Sequence, residues 1–251
     1  MKFLFVQPIF VPSEIMFRKN YNSVMSMIEY FNTYRYSNIE FLFGGWNFKE
    51  TYFEQMKIVL RNFYIKEYDK NYGKAYIIND LISNYDKDYD YIFTLDSDII
   101  LDINCPNMFS RFESFIEILN KKRNKPLGIL ALKQNIFNCH LDNIYDNTFT
   151  IQQEIFHYPN EISGIAGGVF FTSKEIWKLN NGYKIFGSFG GDDGHYLLDC
   201  VKNNFSVQVC SSIWITHPYE DDIEYLKWKV NKCRGTTLIT DYWKELSNNP
   251  K

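Results

Sequence analysis

The sequence predicts a single α/β domain with a mixed, mainly parallel β-sheet flanked by helices. Its 251 residues are enough for one large core and too few for two domains of ordinary size. Short apolar runs alternate with amphipathic helical patterns in its N-terminal part, and this alternation is typical of a parallel sheet. The apolar run at residues 91–95, bounded by polar residues, indicates a buried central strand.

The N-terminal elements follow from local signals. Residues 2–7 predict the first strand, and Ser13 is suited to cap a helix over residues 16–34. Residues 39–43 predict a second strand that ends at a pair of glycines. Residues 57–64 are expected to form the third strand, although the spacing of their apolar residues also suits a helix.

The rest of the chain continues this pattern, with one polar interruption. Gly73 is expected to open a helix over residues 73–85, and paired glycines lead into a strand that ends near residue 172. Residues 134–161 lack a clear period and predict an irregular excursion. The other predicted helices cover residues 107–122, 173–179, 194–203 and 220–233, and the other predicted strands cover residues 128–132, 207–209 and 213–215.

Net charge and composition exclude some classes of protein. A net charge of −3 and a pI near 5.9 argue against a dedicated nucleic-acid-binding protein. The N-terminal apolar run is too short for a signal peptide, and no stretch approaches the length of a membrane span. The five cysteines are odd in number and form no Cys-x-x-Cys pair, so reduced structural thiols are expected. We therefore expect a soluble, cytoplasmic protein.

Two carboxylates, Asp96 and Asp98, follow the predicted central strand. Strands of an open α/β sheet present ligands at their carboxyl ends, and side chains two residues apart in an extended segment point to the same side. Carboxylates held together repel each other unless a cation lies between them, and a hard divalent ion is the usual one. The pattern indicates a metal site, with a plain acidic loop as the alternative.

Two further segments place charged residues at predicted helix starts. Lys74 lies in a first helical turn, where free amides favour phosphate, and a solvated lysine is the alternative. Asp192 and Asp193 follow a glycine-rich stretch at residues 186–191, and we expect the segment 184–191 to act as a lid. The two acids either cap the helix or take part in the chemistry beneath that lid.

The order of these motifs resembles that of the nucleotide-sugar transferases of the GT-A fold. The motifs are Gly73-Lys74, Asp96-Ser97-Asp98, Gly167-Gly168-Val169-Phe170-Phe171 and Gly190-Gly191-Asp192-Asp193, followed by His217 after a strand. The likeness is greatest to the β-1,4-galactosyltransferase family and to related inverting, family 2-like transferases, and it covers residues 71–217 by motif and the first 70 by pattern. It implies one GT-A (Rossmann-like) domain over residues 1–251, with a nucleotide-binding part at about 1–102 and an acceptor-binding part at about 103–251.

The resemblance also implies roles for individual residues. Asp98 is expected to bind a divalent metal directly, with His217 as a second ligand and Asp96 holding the ribose or a metal-bound water. The expected ion is Mn²⁺, with Mg²⁺ as the alternative. Asp193 is expected to be the catalytic base and Asp192 to bind sugar hydroxyls. The residues expected to contact the nucleotide-sugar donor are Gln7, Pro8, Lys74, Asp96, Ser97, Gly167 and Gly168.

Two positions depart from the family pattern. Trp214 stands where the family has a methionine ligand, which leaves two protein ligands for the metal. Gly187 and Phe189 stand where the family has lid tryptophans, so the identity of the acceptor does not follow from the resemblance.

The expected activity is metal-dependent transfer of a sugar, with UDP-hexose as the expected donor, to a hydroxyl group with inversion. The acceptor stays open among glycans, lipid-linked molecules and proteins. A retaining GT-A transferase is one alternative, and a haloacid-dehalogenase-like Mg²⁺ phosphatase is another because residues 191–199 imitate its second acidic motif. A nucleotidyltransferase is disfavoured because residues 7–10 lack a glycine- and arginine-rich loop. A non-catalytic sugar-binding module is disfavoured because Asp98, Asp193 and His217 are all present.

Overall fold

The computed structural model describes residues 1–46, 50–104, 108–123, 125–134, 145–151, 154–159, 168–185 and 192–218. The helices are α1 (Glu14–Tyr34), α2 (Glu50–Val59), α3 (Lys74–Ser83), α4 (Met108–Arg123), α5 (Lys174–Leu179) and α6 (Asp192–Lys202). The strands are β1 (Phe3–Phe10), β2 (Ile39–Trp46), β3 (Tyr64–Tyr68), β4 (Tyr91–Leu95), β5 (Ile100–Leu101), β6 (Leu127–Gln134), β7 (Tyr145–Ile151), β8 (Glu154–Pro159), β9 (Val169–Ser173) and β10 (Ser206–Thr216).

The strands of the described chain form one mixed sheet in the order β3-β2-β1-β4-β9-β6-β10-β8-β7, with β5 paired to β10. Strands β3, β2, β1 and β4 are parallel neighbours, and β9 enters antiparallel between β4 and β6. The pairings give β1, β2, β3, β4, β6, β7 and β10 one direction and β5, β8 and β9 the other. The predicted mixed, mainly parallel sheet is confirmed.

Side chains alternate between the two faces of the sheet along each strand, and helices cover both faces. On β1, Phe3 and Phe5 face a core that also contains residues of α1 and α4, whereas Leu4 and Val6 face a core with residues of α3, α5 and α6. The Phe171 ring on β9 stacks on the Phe93 ring of the neighbouring strand β4, with the ring centroids 4.2 Å apart. This two-sided core fixes the sheet whose carboxyl edge carries the candidate site.

Helix α1 begins and ends where its sequence signals place it. The Ser13 hydroxyl accepts a hydrogen bond from the Met16 amide at 3.1 Å, which is the expected N-cap contact. The helix ends at Arg35, whose φ of 51° is left-handed. The helices predicted near residues 73, 107, 173 and 194 are likewise present as α3, α4, α5 and α6.

The expected third strand at residues 57–64 is wrong, and the helical alternative is right for its first part. Phe53, Met56 and Leu60 are fully buried at helical spacing, so this stretch packs as α2 and a short turn. The strand follows later, as β3, and pairs in parallel with β2. Strand β2 itself runs beyond its predicted end, through Gly44 and Gly45.

Three expectations for the C-terminal half need correction or lie outside the described residues. The segment 134–161 is not simply irregular, since β7 and β8 form an antiparallel pair beside β10. The two strands predicted at residues 207–209 and 213–215 are one strand, β10, with a register shift between Cys210 and Trp214. The helix predicted at residues 220–233 lies outside the described residues.

Cys200 and Cys210 are buried thiols, as expected of structural cysteines. The other three, Cys105, Cys139 and Cys233, lie outside the described residues. None of the helices in the described ranges combines the length and apolarity that a membrane crossing requires.

Candidate active site

The site lies at the carboxyl ends of β1 and β4. The chain turns sharply after β4: the Asp96 amide donates to the Gly168 carbonyl at 2.8 Å, and the Ile99 amide donates to the Asp96 carbonyl at 3.3 Å. Strand β5 then pairs with the end of β10, with Ile100 opposite Thr216. This pairing places the Asp96–Asp98 turn beside His217, the residue that follows β10.

Asp98 and His217 lie near each other, as the resemblance implies for two ligands of one metal. His217 Nε2 lies 3.8 Å from Asp98 Oδ1, and their side chains are 17% and 11% exposed. His217 Nδ1 lies 2.9 Å from the Pro218 carbonyl oxygen. Because a carbonyl can only accept, Nδ1 carries the proton, and in the neutral ring Nε2 presents its lone pair on the side of Asp98.

These two side chains fit a divalent ion that takes its other ligands from a substrate. Within the described ranges, no group of three or more His, Cys, Asp or Glu side chains converges in a way that would enclose a metal. In an octahedral ion with bonds of about 2.1 Å, adjacent ligand atoms lie about 3.0 Å apart, so Asp98 and His217, at 3.8 Å, would need to approach each other by less than about 1 Å to bind one ion. Mg²⁺-like ions keep several waters and bind phosphate oxygens, so two protein ligands suffice for such a site.

The structure places Asp96 on Lys74. Lys74 Nζ lies 2.8 Å from Asp96 Oδ1 and 2.8 Å from Asp193 Oδ1. Asp192 Oδ2 is 3.5 Å away from the same ammonium, and it is buried. One lysine therefore contacts both Asp96, which follows β4, and the two acids at the start of α6. We call Lys74, Asp96, Asp192 and Asp193 the Lys74 cluster.

Helix α3 positions the Lys74 cluster. Gly73 caps the helix with a φ of 85°, which favours glycine, and places Lys74 in the first turn. One turn later, Asn79 bonds both backbone groups of Tyr183, at 2.9 Å to the amide and 2.7 Å to the carbonyl. The Tyr183 ring centroid lies 5.8 Å from Lys74 Nζ, which gives the ammonium an aromatic neighbour.

The cluster shifts the acidity of its members. Burial lowers the pKa of Lys74, but the charges of Asp193, Asp96 and Asp192 outweigh that effect and raise the pKa well above its usual value. Burial raises the pKa of Asp193, the Asp192 charge raises it further, and Lys74 only partly opposes them. A carboxylate with a raised pKa is a stronger base at neutral pH, which suits proton abstraction from a hydroxyl group.

The predicted donor-contact residues surround the same turn. Gln7 is fully buried within β1, and its Nε2 donates to Ser23 Oγ at 2.7 Å and to the Asp96 carbonyl at 3.1 Å. Pro8 is buried on the same strand, Ser97 is half-buried in the turn, and Gly168 contacts Asp96 through its carbonyl. Gly167 and residues 186–191 of the expected lid lie outside the described residues, as does the side chain of Trp214.

Sequence reasoning missed two groups of polar contacts at α6. The Lys74–Asp193 ion pair joins residues 119 positions apart, although the placement of both residues at helix starts on one edge of the sheet was a usable signal. His195, buried on α6, lies 2.9 Å from Lys184 Nζ through Nε2 and 3.0 Å from Asp199 Oδ2 through Nδ1. No spacing rule predicts that second cluster, because Lys184 belongs to the preceding irregular segment.

Comparisons with known proteins agree at the level of the fold. No protein-family model and no curated protein matches the sequence. Among solved structures, the mannosyltransferase PcManGT from Pyrobaculum calidifontis, in complex with GDP-Man and Mn²⁺, aligns with a TM-score of 0.63 at 10% identity, over 100% of this chain and 65% of that one.

Two other solved structures align over most of the chain. S. aureus TarS gives a TM-score of 0.59 at 12% identity over 86% of this chain and 60% of that one. A mutant of Drosophila β-1,4-galactosyltransferase 7, in complex with manganese, UDP-Gal and xylobiose, gives a TM-score of 0.52 at 13% identity, over 91% of this chain and 74% of that one. The chain spans less than two thirds of TarS and of PcManGT.

These likenesses are too distant in sequence to show more than the fold. They extend across three different glycosyltransferases, so the narrower resemblance to β-1,4-galactosyltransferases stays a prediction. The mixed sheet, its flanking helices and the three alignments together show that the chain has a GT-A-type glycosyltransferase fold.

Proposed function

We propose that the protein is a glycosyltransferase that moves a hexosyl group from a nucleoside diphosphate sugar to an acceptor hydroxyl, with the help of a divalent ion. The observation that carries this proposal is the meeting of two functional groups at one edge of a GT-A-type sheet. One is the Asp98–His217 pair, and the other is the Lys74 cluster with its basic carboxylate. In this proposal the nucleotide-binding part is residues 1–102 and the acceptor-binding part is residues 103–251.

The leaving group determines what the metal side of the site does. As the anomeric bond breaks, negative charge develops on the diphosphate, and a divalent ion held by Asp98 and His217 would neutralise that charge. Mn²⁺ is the proposed ion, in keeping with the two manganese-containing neighbours. Asp96 is then proposed to bind the ribose or a metal-bound water, and Gln7 holds the Asp96 backbone in place.

The acceptor side of the site needs a proton acceptor. Asp193 is proposed as the base because its raised pKa and its position at the start of α6 suit removal of a proton from an incoming hydroxyl. Asp192, buried beside it, is proposed to bind sugar hydroxyls. Attack from the side opposite the diphosphate inverts the anomeric carbon, so an inverting reaction is proposed.

The donor is proposed to be UDP-linked, on the resemblance described above. The neighbours were solved with GDP-Man and UDP-Gal, so GDP-sugars are the first comparison to make. The acceptor is proposed only as a hydroxyl-bearing molecule.

A phosphatase of the haloacid dehalogenase type is disfavoured by the surroundings of Asp199. That mechanism would use this carboxylate at a metal, whereas Asp199 Oδ2 lies 3.0 Å from His195 Nδ1. The Asp96–Asp98 motif also follows the fourth strand in the chain and not the first.

A panel of UDP- and GDP-sugars with Mn²⁺ tests the proposal by release of the nucleoside diphosphate, with and without chelator. We expect release from at least one UDP-hexose, loss of release on chelation, and no hydrolysis of p-nitrophenyl phosphate with Mg²⁺. Phosphatase activity without donor cleavage contradicts the proposal. When an acceptor is found, an NMR spectrum of the product that shows retained configuration contradicts the inverting mechanism.

A further inference from the structure

We propose that Lys74 restrains Asp193 until a diphosphate takes over the lysine ammonium, so that donor binding releases the base. This inference rests on the proposed function and concerns the regulation of the same site. It makes Lys74 a positioning residue that acts through Asp193. It also predicts an order of binding in which the donor precedes the acceptor.

Lys74 lies between Asp96, on the proposed donor side of the site, and Asp193, the proposed base. Its ammonium is 2.8 Å from Asp96 on the donor side and 2.8 Å from Asp193 on the acceptor side. The third acid, Asp192, is farther away at 3.5 Å. In this arrangement the Oδ1 atom of Asp193 accepts a charged hydrogen bond from Lys74, and the ammonium stabilises the ionised carboxylate, which weakens it as a base.

A diphosphate competes for the same ammonium with more negative charge. Lys74 lies in the first turn of α3, where backbone amides also favour phosphate. Movement of Nζ toward a bound diphosphate leaves Asp193 without its cation while Asp192 stays nearby. The carboxylate then becomes both free to accept a hydrogen bond and a stronger base, since a neighbouring negative charge disfavours ionisation and a positive one no longer opposes it.

This coupling would make the base available only when the donor is bound. Before the donor arrives, the base is held in an ion pair. After the donor binds, the base is released at the place where an acceptor hydroxyl approaches. The same logic predicts a cost to donor binding, because the diphosphate must take Lys74 from Asp193.

A double-mutant cycle on Lys74 and Asp193 tests the inference, with binding of Mn²⁺-UDP and of Mn²⁺-pyrophosphate measured by calorimetry. We expect Asp193→Asn to tighten binding of either probe by about five- to tenfold, because Lys74 no longer has to leave a charged partner. In the Lys74→Met background the same substitution should change affinity by less than about twofold. Asp192→Asn, which removes an equal charge at a longer distance, is the matched control and should tighten binding less.

Two outcomes are decisive in the cycle. If Asp193→Asn tightens binding equally with and without Lys74, general electrostatics explains the effect and the inference is overturned while the proposed function stands. Wild-type protein that binds neither probe overturns both. Circular dichroism checks each variant for folding, and Lys74→Gln replaces Lys74→Met if the latter does not fold.

Discussion

Removing Lys74 should destabilise the protein in a pH-dependent way. In a Lys74→Met variant, Asp96, Asp192 and Asp193 face one another without the ammonium that joins them. Breaking a fully buried ion pair costs about 3–5 kcal/mol, and an exposed pair contributes about 0.2–1 kcal/mol. The Lys74 side chain is 22% exposed, which lies nearer the buried case, so we expect a loss of about 2 kcal/mol at pH 8.

The sign of the pH dependence follows from Asp193. The pKa of this carboxyl is already raised in the folded protein, and loss of Lys74 raises it further. A group whose folded pKa exceeds its unfolded value of about 3.9 destabilises the fold when it ionises, and the penalty grows as pH rises toward the folded pKa. The variant should therefore lose less stability at pH 5 than at pH 8, because protonation of Asp193 removes one of the charges that Lys74 neutralises.

Thermal unfolding at pH 5, 6, 7 and 8 measures this effect. For a chain of this size, about 2 kcal/mol corresponds to a fall in Tm of about 4–8 °C. The matched control is Lys87→Met, because Lys87 is 64% exposed and its pair with Glu40 spans 3.2 Å. The control should lose less than about 0.5 kcal/mol at every pH. A Lys74→Met variant as stable as the wild type at pH 8, or one whose loss does not change with pH, refutes this reasoning.

The remaining predictions concern the metal pair and the core. Asp98→Ala should abolish the Mn²⁺ dependence of UDP binding. His217→Ala should weaken that dependence about tenfold or more without abolishing it, because diphosphate and water still fill coordination positions. Calorimetry with and without chelator measures both effects, and an unchanged metal dependence in Asp98→Ala contradicts the metal assignment. Phe171→Ala should cost about 3–5 kcal/mol in urea unfolding, because the ring is 2% exposed and stacks on Phe93 at 4.2 Å. A loss below about 1 kcal/mol would mean that this part of the core repacks.

The sequence predicted the elements whose signals are local. Ser13 marked the start of α1, and Gly73 marked the start of α3, since caps act within a few residues. The stretch near residue 57 was harder, because a short apolar run suits a strand or a helix until its burial is known. The β7–β8 pair was missed for a related reason: polar strands at the end of a sheet carry little apolar period.

The site was predictable as a set of residues but not as an arrangement. Asp98 and His217 come together as the resemblance implies, because β5 pairs with β10. Asp96 was expected beside the metal, yet in the structure its Oδ1 contacts Lys74. That contact depends on where the start of α3 lies relative to the end of β4, and local sequence patterns do not encode that placement.

The most direct test of the proposed chemistry is the turnover of an Asp193→Asn variant beside its Mn²⁺-UDP affinity. The substitution keeps the shape of the side chain and removes the proton acceptor, and Asp88→Asn, at an exposed carboxylate, is the matched control. We predict a fall in turnover of about 10²-fold or more with nucleotide affinity retained or increased, and near-native turnover in the control. An Asp193→Asn variant with near-native turnover contradicts the assignment of Asp193 as the base.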